Sequence, residues 1–472
     1  RDYTTLIAAD TAGGLYLKAD TIAASSGAWV RAYSGPANVR WFGVTGDGST
    51  DDYAAFQIAA NVCRSLYVPG GYEYKLSDGV QLSSNTKIVG DGISSKLTST
   101  GTNKRVLWAY SKSNIEISGL FINGNLTGAG STGHTSAGGD GIAFDSCSYC
   151  NVHDCTFDNI GRLTTGSIAS CIWALAVEHG TFCNNSFLSN NGAAVSNAGA
   201  DIGAYYYSGR LTITGNDSVS EQDSFIYAAG VSASADDTCY FIITNNRATR
   251  SDSSVARSGI LIPYNGRSAF SVVANNVLIG FPANGIYVSA AASVSEITGG
   301  LTITGNVIRY CGGMSGMTGI SAGIYLAGRS GLTCTGNLID STGLTSAGSA
   351  RTNAVPGIYV VNTSSRVVIN GNTVTNSTAQ NIAVSDSSNP MYDIEIANNM
   401  CYESGTGGIY IICNGAPTDL QRVSITGNVV TQNAVDADGI TINLWQTINS
   451  LGQNFWTAML HAIPFGKFFN IL

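Results

Sequence analysis

The sequence predicts an all-β fold, a parallel β-helix in which coils of about thirty residues stack on one another. Three observations carry that prediction. A short segment recurs nine times, as GTFCNN (180–185), LTITGN (211–216), FIITNN (241–246), SVVANN (271–276), LTITGN (301–306), LTCTGN (332–337), VVINGN (367–372), IEIANN (394–399) and VSITGN (423–428). Successive ends lie 31, 30, 30, 30, 31, 35, 27 and 29 residues apart. The residue three before the final Asn is always apolar: Phe182, Ile213, Ile243, Val273, Ile303, Cys334, Ile369, Ile396 and Ile425. The next residue is mostly small or polar, which is the period-two pattern of a strand with one face buried. Finally, the penultimate residue is Gly or Asn in every copy. These types best tolerate positive φ, so the chain is expected to turn there through the left-handed region. The final Asn side chains are then expected to stack coil on coil and hydrogen-bond along the stack.

A second strand follows each copy: GIYV (285–288), GIYL (323–326), GIYV (357–360) and GIYI (408–411), with weaker relatives FIYA, GILI, NIAV and GITI. Alternation sends Ile inward and Tyr outward. No Leu-x-x-Leu-x-Leu pattern supports a leucine-rich horseshoe, and no tight hairpins support a propeller.

Taken in order, residues 1–40 are polar and Gly-rich with scattered aromatics and read as a connector or small β element. Asp51 or Asp52 can cap a helix running to about Cys63, with Ala54, Ala55, Phe56, Ala59 and Ala60 as helix formers and core. This helix is expected to plug the open end of the solenoid. LYVPGGYEYKL follows as strand, Pro-Gly-Gly turn and strand. Residues 77–160 hold irregular first coils, and the β-helix is bounded at 41–444. The tail, 445–472, is aromatic and apolar without the coil pattern, and is expected to cap the far end or mediate association.

Charged residues make up only 11% of the chain and hydrophobic residues 44%, which suits a stacked strand surface rather than a disordered chain. A net charge of −8 argues against nucleic acid or an anionic membrane as partner. The eleven cysteines read as buried free thiols, as in a protein folded in a reducing cytosol. Cys147, Cys150 and Cys155 near His153 lack the second ligand pair of a zinc site. The other histidines are scattered, so no metal or cofactor is expected. No run is apolar enough to span a bilayer and no secretory signal is visible. With its start at Arg1, the chain is expected to lack an upstream part.

The segment GVTGDGSTDDYAAFQ, followed by LYVPGGYEY, resembles the opening signature of the pectate-lyase-like β-helix superfamily. Phage tailspikes and capsule depolymerases carry it as G-x-x-G-D-G-x-T-D-D-x-x-A-F/I-Q and V-P-x-G-x-Y. GAWVRAYSGPANVRWFG resembles the linker between virion-binding segment and β-helix in tailspikes. The resemblance, which covers roughly residues 15–440, implies a right-handed parallel β-helix, usually a homotrimer, that binds and often cleaves bacterial surface polysaccharide. Asp47, Asp51 and Asp52 are read as structural. The catalytic motifs of the polygalacturonase branch and of alginate epimerases are missing, which lowers both.

A glycosidase needs two carboxylates at one sugar bond. On stacked coils they can lie one period apart. Glu221 and Asp252 are separated by 31 residues, and Asp223 and Asp252 by 29, so these three are the expected catalytic set. Arg250 and Arg257 flank the same place and are expected to position an anionic sugar. The competing reading is a solvated turn with incidental charges. Outward Tyr227, Tyr287, Tyr325, Tyr359 and Tyr410 form an expected stripe for sugar rings, or equally a subunit contact. Loops at 309–322 and 340–356 are expected to wall a groove. A second cluster joins Tyr205, Tyr206, Tyr207, Asp236, Asp237, Tyr264 and Arg267 with Trp173, Glu178 and His179. There, Tyr or His179 with Arg210 or Arg267 would suit a lyase.

The expected function is that of a phage tailspike, an endoglycosidase on capsule or O-antigen. Its expected partners are the glycan, two further copies of itself and the phage tail, and it would act at the bacterial surface. The rivals are a polysaccharide lyase and a non-catalytic adhesin.

Overall fold

The computed structural model describes residues 2–101, 104–125, 139–161, 169–189, 199–207, 209–220, 224–230, 239–251, 258–263, 271–289, 300–314, 321–327, 330–361, 365–386, 391–413, 420–431, 438–444 and 469–471. The chain forms two compact units, Arg1–Asp223 and Ser224–Leu472. Each is built from coils of three short strands, and each strand pairs in parallel with its counterpart one coil on. In the first unit the three faces are exemplified by Ser148–His153, Thr156–Asp158 and Ile172–Leu175. In the second they are exemplified by Leu301–Thr304, Val307–Arg309 and Ala322–Ala327. They are called below the first, second and third sheets. The fold is the parallel β-helix that the repeat predicts, right-handed as the family resemblance implies.

The repeat explains how a coil closes. All nine penultimate residues have positive φ, from Asn184 at 55° to Gly427 at 64°. The apolar residue three before the Asn is buried in every copy. The Asn itself is buried in the first eight copies and half-buried at Asn428, and along the row the amides bond one another. In the second unit Asn306 donates from Nδ2 to Val273 O at 3.0 Å and to Asn337 Oδ1 at 2.9 Å. Its own Oδ1 accepts from the backbone N and the Nδ2 of Asn276, at 3.0 and 2.9 Å. The ladder runs Asn246, Asn276, Asn306, Asn337, Asn372, Asn399, Asn428 in that unit, and Asn185 to Asn216 in the first. Burying so polar a row costs little only because each amide bonds the next.

The capping helix spans Tyr53–Val62 and buries Phe56, Ala59 and Ala60 on one face. Its Gln57 receives Gln81 N at 2.8 Å and gives Nε2 to Gln81 O at 3.1 Å, so it covers the free edge of the first third-sheet strand, Val80–Gln81. Asp52 occupies the N-cap position, but its carboxylate turns back to Thr45 N and Gly46 N; Asp51 instead accepts Tyr53 N at 3.1 Å. Asp47 holds Ser49 and Thr50. All three aspartates brace this turn. The Pro-Gly-Gly turn joins two different sheets and is not a hairpin. Upstream, a helix at Thr4–Ala9 that the composition did not suggest precedes a small antiparallel pair, Tyr16–Leu17 with Trp29–Val30. Of the tail, Phe469–Ile471 adds a parallel strand to Asp438–Leu444.

Nine described cysteines are free and eight of them buried. Burial pushes Cys155, Cys311, Cys334 and Cys401 up to about 12, so they pack as small apolar groups. No helix among the described residues is long and apolar enough to cross a membrane.

Candidate functional site

In both units the corner between the second and third sheets differs from coil to coil. Residues 280–283 suffice at one such corner, whereas 124–141 and 341–357 occupy others. From Asn185 onward the corner between the first and second sheets, in contrast, is the uniform Asn turn. Chemistry-bearing residues collect where length is free to vary.

In the first unit, Arg105, Asp140 and Ser170 each lie two residues before the third-sheet position that starts their register row (Leu107, Ile142, Ile172). Arg105 bridges two carboxylates, with Nε at 3.3 Å from Asp140 Oδ2 and Nη1 at 2.8 Å from Asp145 Oδ2. Asp140 is fully buried and also accepts Ser170 N at 2.9 Å. Burial pushes its carboxyl up to about 6, and the charge of Asp145 adds to this; the Ser170 N–H and the Arg105 guanidinium oppose it. Asp145 takes a further bond from the Trp173 indole N–H at 3.0 Å. Trp173 stacks on Tyr205 of the next coil, with ring centroids 4.4 Å apart. Gly203 makes this possible, because a Cβ there would lie 2.6 Å from the Tyr205 ring. The product is a stacked ring pair, the buried Trp173 against the half-buried Tyr205, with one ion-paired carboxylate beside it.

Because Asp140 holds its proton more tightly folded than unfolded, its contribution to stability is greatest below the unfolded value near 4 and declines as pH rises towards 6. The melting advantage of the native chain over Asp140→Asn is therefore expected to shrink across that window, by about 2–3 kcal/mol. Calorimetry at pH 4, 5, 6 and 7 checks it.

Glu221, Asp223 and Asp252, and with them Arg257, Asp237 and Arg267, lie outside the described residues. Their flanks are described. In the first unit the chain into Glu221 is tied down: Ser218 Oγ donates to the buried Asp201 at 2.6 Å, and Ser220 Oγ donates to the same carboxylate. In the second unit the residue two before Asp252 is Arg250, expected at the sugar. It is only 4% exposed, with its guanidinium 5.0 Å over the Phe281 ring and its backbone N bonded to Ile279 O. A guanidinium so covered anchors the corner and does not reach a ligand, which corrects the expectation. Tyr206 lies in the strand Ala200–Tyr207, and its side chain is outside the description.

The tyrosine stripe exists within the second unit. Tyr227, Leu261, Tyr287, Tyr325, Tyr359, Ala383 and Tyr410 share one register row. Tyr287 and Tyr325 stack at 5.0 Å, and Tyr359 meets Tyr325 edge-on at 5.7 Å. Tyr325 was expected to touch substrate, yet it is 4% exposed and packs with Ala322 and Val361 beneath its neighbours. Burial and the adjacent phenols raise its hydroxyl above the usual tyrosine value. Tyr287 and Tyr359 keep open edges; Tyr325 is their support.

The lyase cluster is divided between sheets. Trp173 and Tyr205 lie on the third, whereas His179 and Arg210 are register partners on the first. There His179 packs on Tyr149 at 4.7 Å and its Nδ1 accepts Arg210 N at 3.3 Å. Sequence reasoning missed Arg105, Asp140 and Asp145, which fall in early coils that lack the Asn turn. The intervals Asp140 to Ser170 and Asp145 to Trp173, near one coil each, were the available signal.

Residues 37–233 match the family model described as rhamnogalacturonase A/epimerase, pectate lyase-like, and the match takes in the GVTGDGSTDDYAAFQ stretch. No curated protein sequence matches the chain. Among solved structures, the catalytic unit of a thermostable GH87 α-1,3-glucanase from Streptomyces thermodiastaticus is similar at 16% identity and a TM-score of 0.52, over 84% of this chain and 69% of that one. The A-module of the mannuronan C-5 epimerase AlgE4 from Azotobacter vinelandii is similar at 16% identity and 0.49, over 88% and 100%. Tailspike protein 3 of bacteriophage CBA120 is similar at 14% identity and 0.43, over 92% of this chain and 61% of that one. These likenesses are of fold.

Proposed function

We propose that the protein binds and depolymerises a bacterial surface polysaccharide as the tailspike of a phage. In this reading it acts as a homotrimer and hydrolyses glycosidic bonds with Glu221, Asp223 and Asp252. The observation that carries the substrate class is the half-buried Tyr205 ring, backed by the buried Trp173, with Asp145 bonded to the indole edge. Aromatic faces suit the apolar faces of sugar rings, and the carboxylate suits their hydroxyls. The pectate-lyase-like match over residues 37–233 supports the same class. The anchored segments before Glu221 and Asp252 support the catalytic assignment, since a general acid and base must be held in place. Here the chain is pinned just upstream of each, at Ser220 and at Arg250.

A lyase is the second reading, favoured by the grouping of His179, Tyr149 and Arg210. Elimination leaves a double bond that absorbs in the near ultraviolet, and hydrolysis does not, so absorbance during digestion separates them. An adhesin would leave polymer length unchanged. Tyr205→Ala is expected to raise KM for the polymer by about tenfold with kcat little changed, the loss of one stacking contact. Initial rates against polymer concentration check it.

A further inference from the structure

The corner insertion 341–356 of the second unit walls an open cleft of about 640 Å³, lined among others by Leu344, Ala350, Arg351, Asn376, Thr378 and Glu403. That size falls within the range of small-ligand sites, about 300–1,000 Å³. The wall is built to stay in place. Leu344 and Ala350 pair as an antiparallel bridge, and Arg351 N bonds Gly343 O at 2.7 Å. The Arg351 side chain ties two turns together, donating to Leu344 O and to Tyr310 O, each at 3.0 Å. Thr378 Oγ1 accepts Val355 N at 3.0 Å and so clamps the insertion to the coil below. Gly405, one coil on, has no room for a side chain: a Cβ would sit 2.1 Å from Thr378 O.

The lining mixes apolar carbon with amide, hydroxyl, guanidinium and carboxylate. Leu344 and Ala350 offer the first, while Asn376, Thr378 and an exposed Glu403 offer hydrogen-bonding groups. Glu403 holds φ at 50° and Asn376 at 53°, so successive coils carry a left-handed residue at the same corner. Ser341 and Tyr310 hold the same conformation one and two coils earlier, so it is the turn that closes each coil here and it sets Asn376 and Glu403 in line.

We infer that this cleft is a saccharide-binding site that holds the chain without cutting it. Its ligand class rests on the polysaccharide reading above. Hydrolysis needs a carboxylate pair, and Glu403 is the one carboxylate among the described residues of the lining.

The test uses oligosaccharides made by mild acid hydrolysis of purified capsule and O-antigen preparations, so that the probe does not depend on the protein's own activity. Saturation-transfer NMR is run on the full chain, on Ala354→Trp, which fills the cleft from an exposed position, and on Glu403→Gln. Binding by the native chain that weakens at least ~10-fold in both variants, with melting temperatures unchanged, supports the site. Undiminished binding in both variants, or no binding by the native chain, overturns it. Release of oligosaccharides from intact polymer is followed in parallel. A native chain that cleaves nothing defeats the proposed depolymerase, while the NMR arm still decides the cleft.

Discussion

Glu221→Gln and Asp252→Asn are each expected to slow polymer cleavage about 10²–10⁴-fold, the usual worth of a positioned general acid or base, with polymer binding retained. Either amide keeps the shape of the side chain and loses the proton chemistry. Reducing ends released per unit time measure the first quantity, and co-sedimentation with polymer the second. The expectation rests on sequence spacing of one coil and on the anchoring just upstream: Ser220 on the buried Asp201 in one unit, Arg250 on the Phe281 ring in the other. Full activity in both variants would move attention to Asp145, the carboxylate that the described structure sets beside Trp173.

Asn306→Leu is expected to destabilise the fold by about 3–5 kcal/mol, near the upper end for a single substitution. Leucine matches the volume and removes every polar partner. Two donors of Asn276, its backbone N and its Nδ2, lose their acceptor; Val273 O and Asn337 Oδ1 lose a donor. All lie inside, where water cannot replace the bonds. The contrasting surface change Thr302→Val, on the outward side of the same strand, is expected to stay within about 0.5 kcal/mol. Denaturant unfolding of the two variants beside the native chain checks the difference.

The coil was legible because its demands repeat. Only Gly or Asn fits the left-handed turn comfortably, only an apolar residue fits three positions before the Asn, and only an amide both donates and accepts along the buried row. Repetition turned each of these into a pattern. The corners carry no such constraint, and the proposed binding groups lie there. Arg105, Asp140 and Asp145 form one cluster from two stretches of adjacent coils, so no single stretch announces them. Arg250 was expected to position an anionic sugar because charge normally faces water. Its burial depends on Phe281, which belongs to the next coil. Tyr287 and Tyr325 share nearly the same local sequence, GIYV and GIYL, yet one keeps an open edge and the other is covered. The difference lies with Ala322, Val361 and the flanking rings, none of which the local strand specifies. The insertion 340–356 was expected to wall a groove, and 341–356 does so, because its length alone marked it.

Mass analysis of the products formed from a panel of purified bacterial surface polysaccharides tests the central claim most directly. A depolymerase of the hydrolytic kind yields, from at least one polymer, a discrete series of oligosaccharides at multiples of the repeating unit plus one water. Polymers that all keep their full length, even where the protein demonstrably binds them, would contradict it.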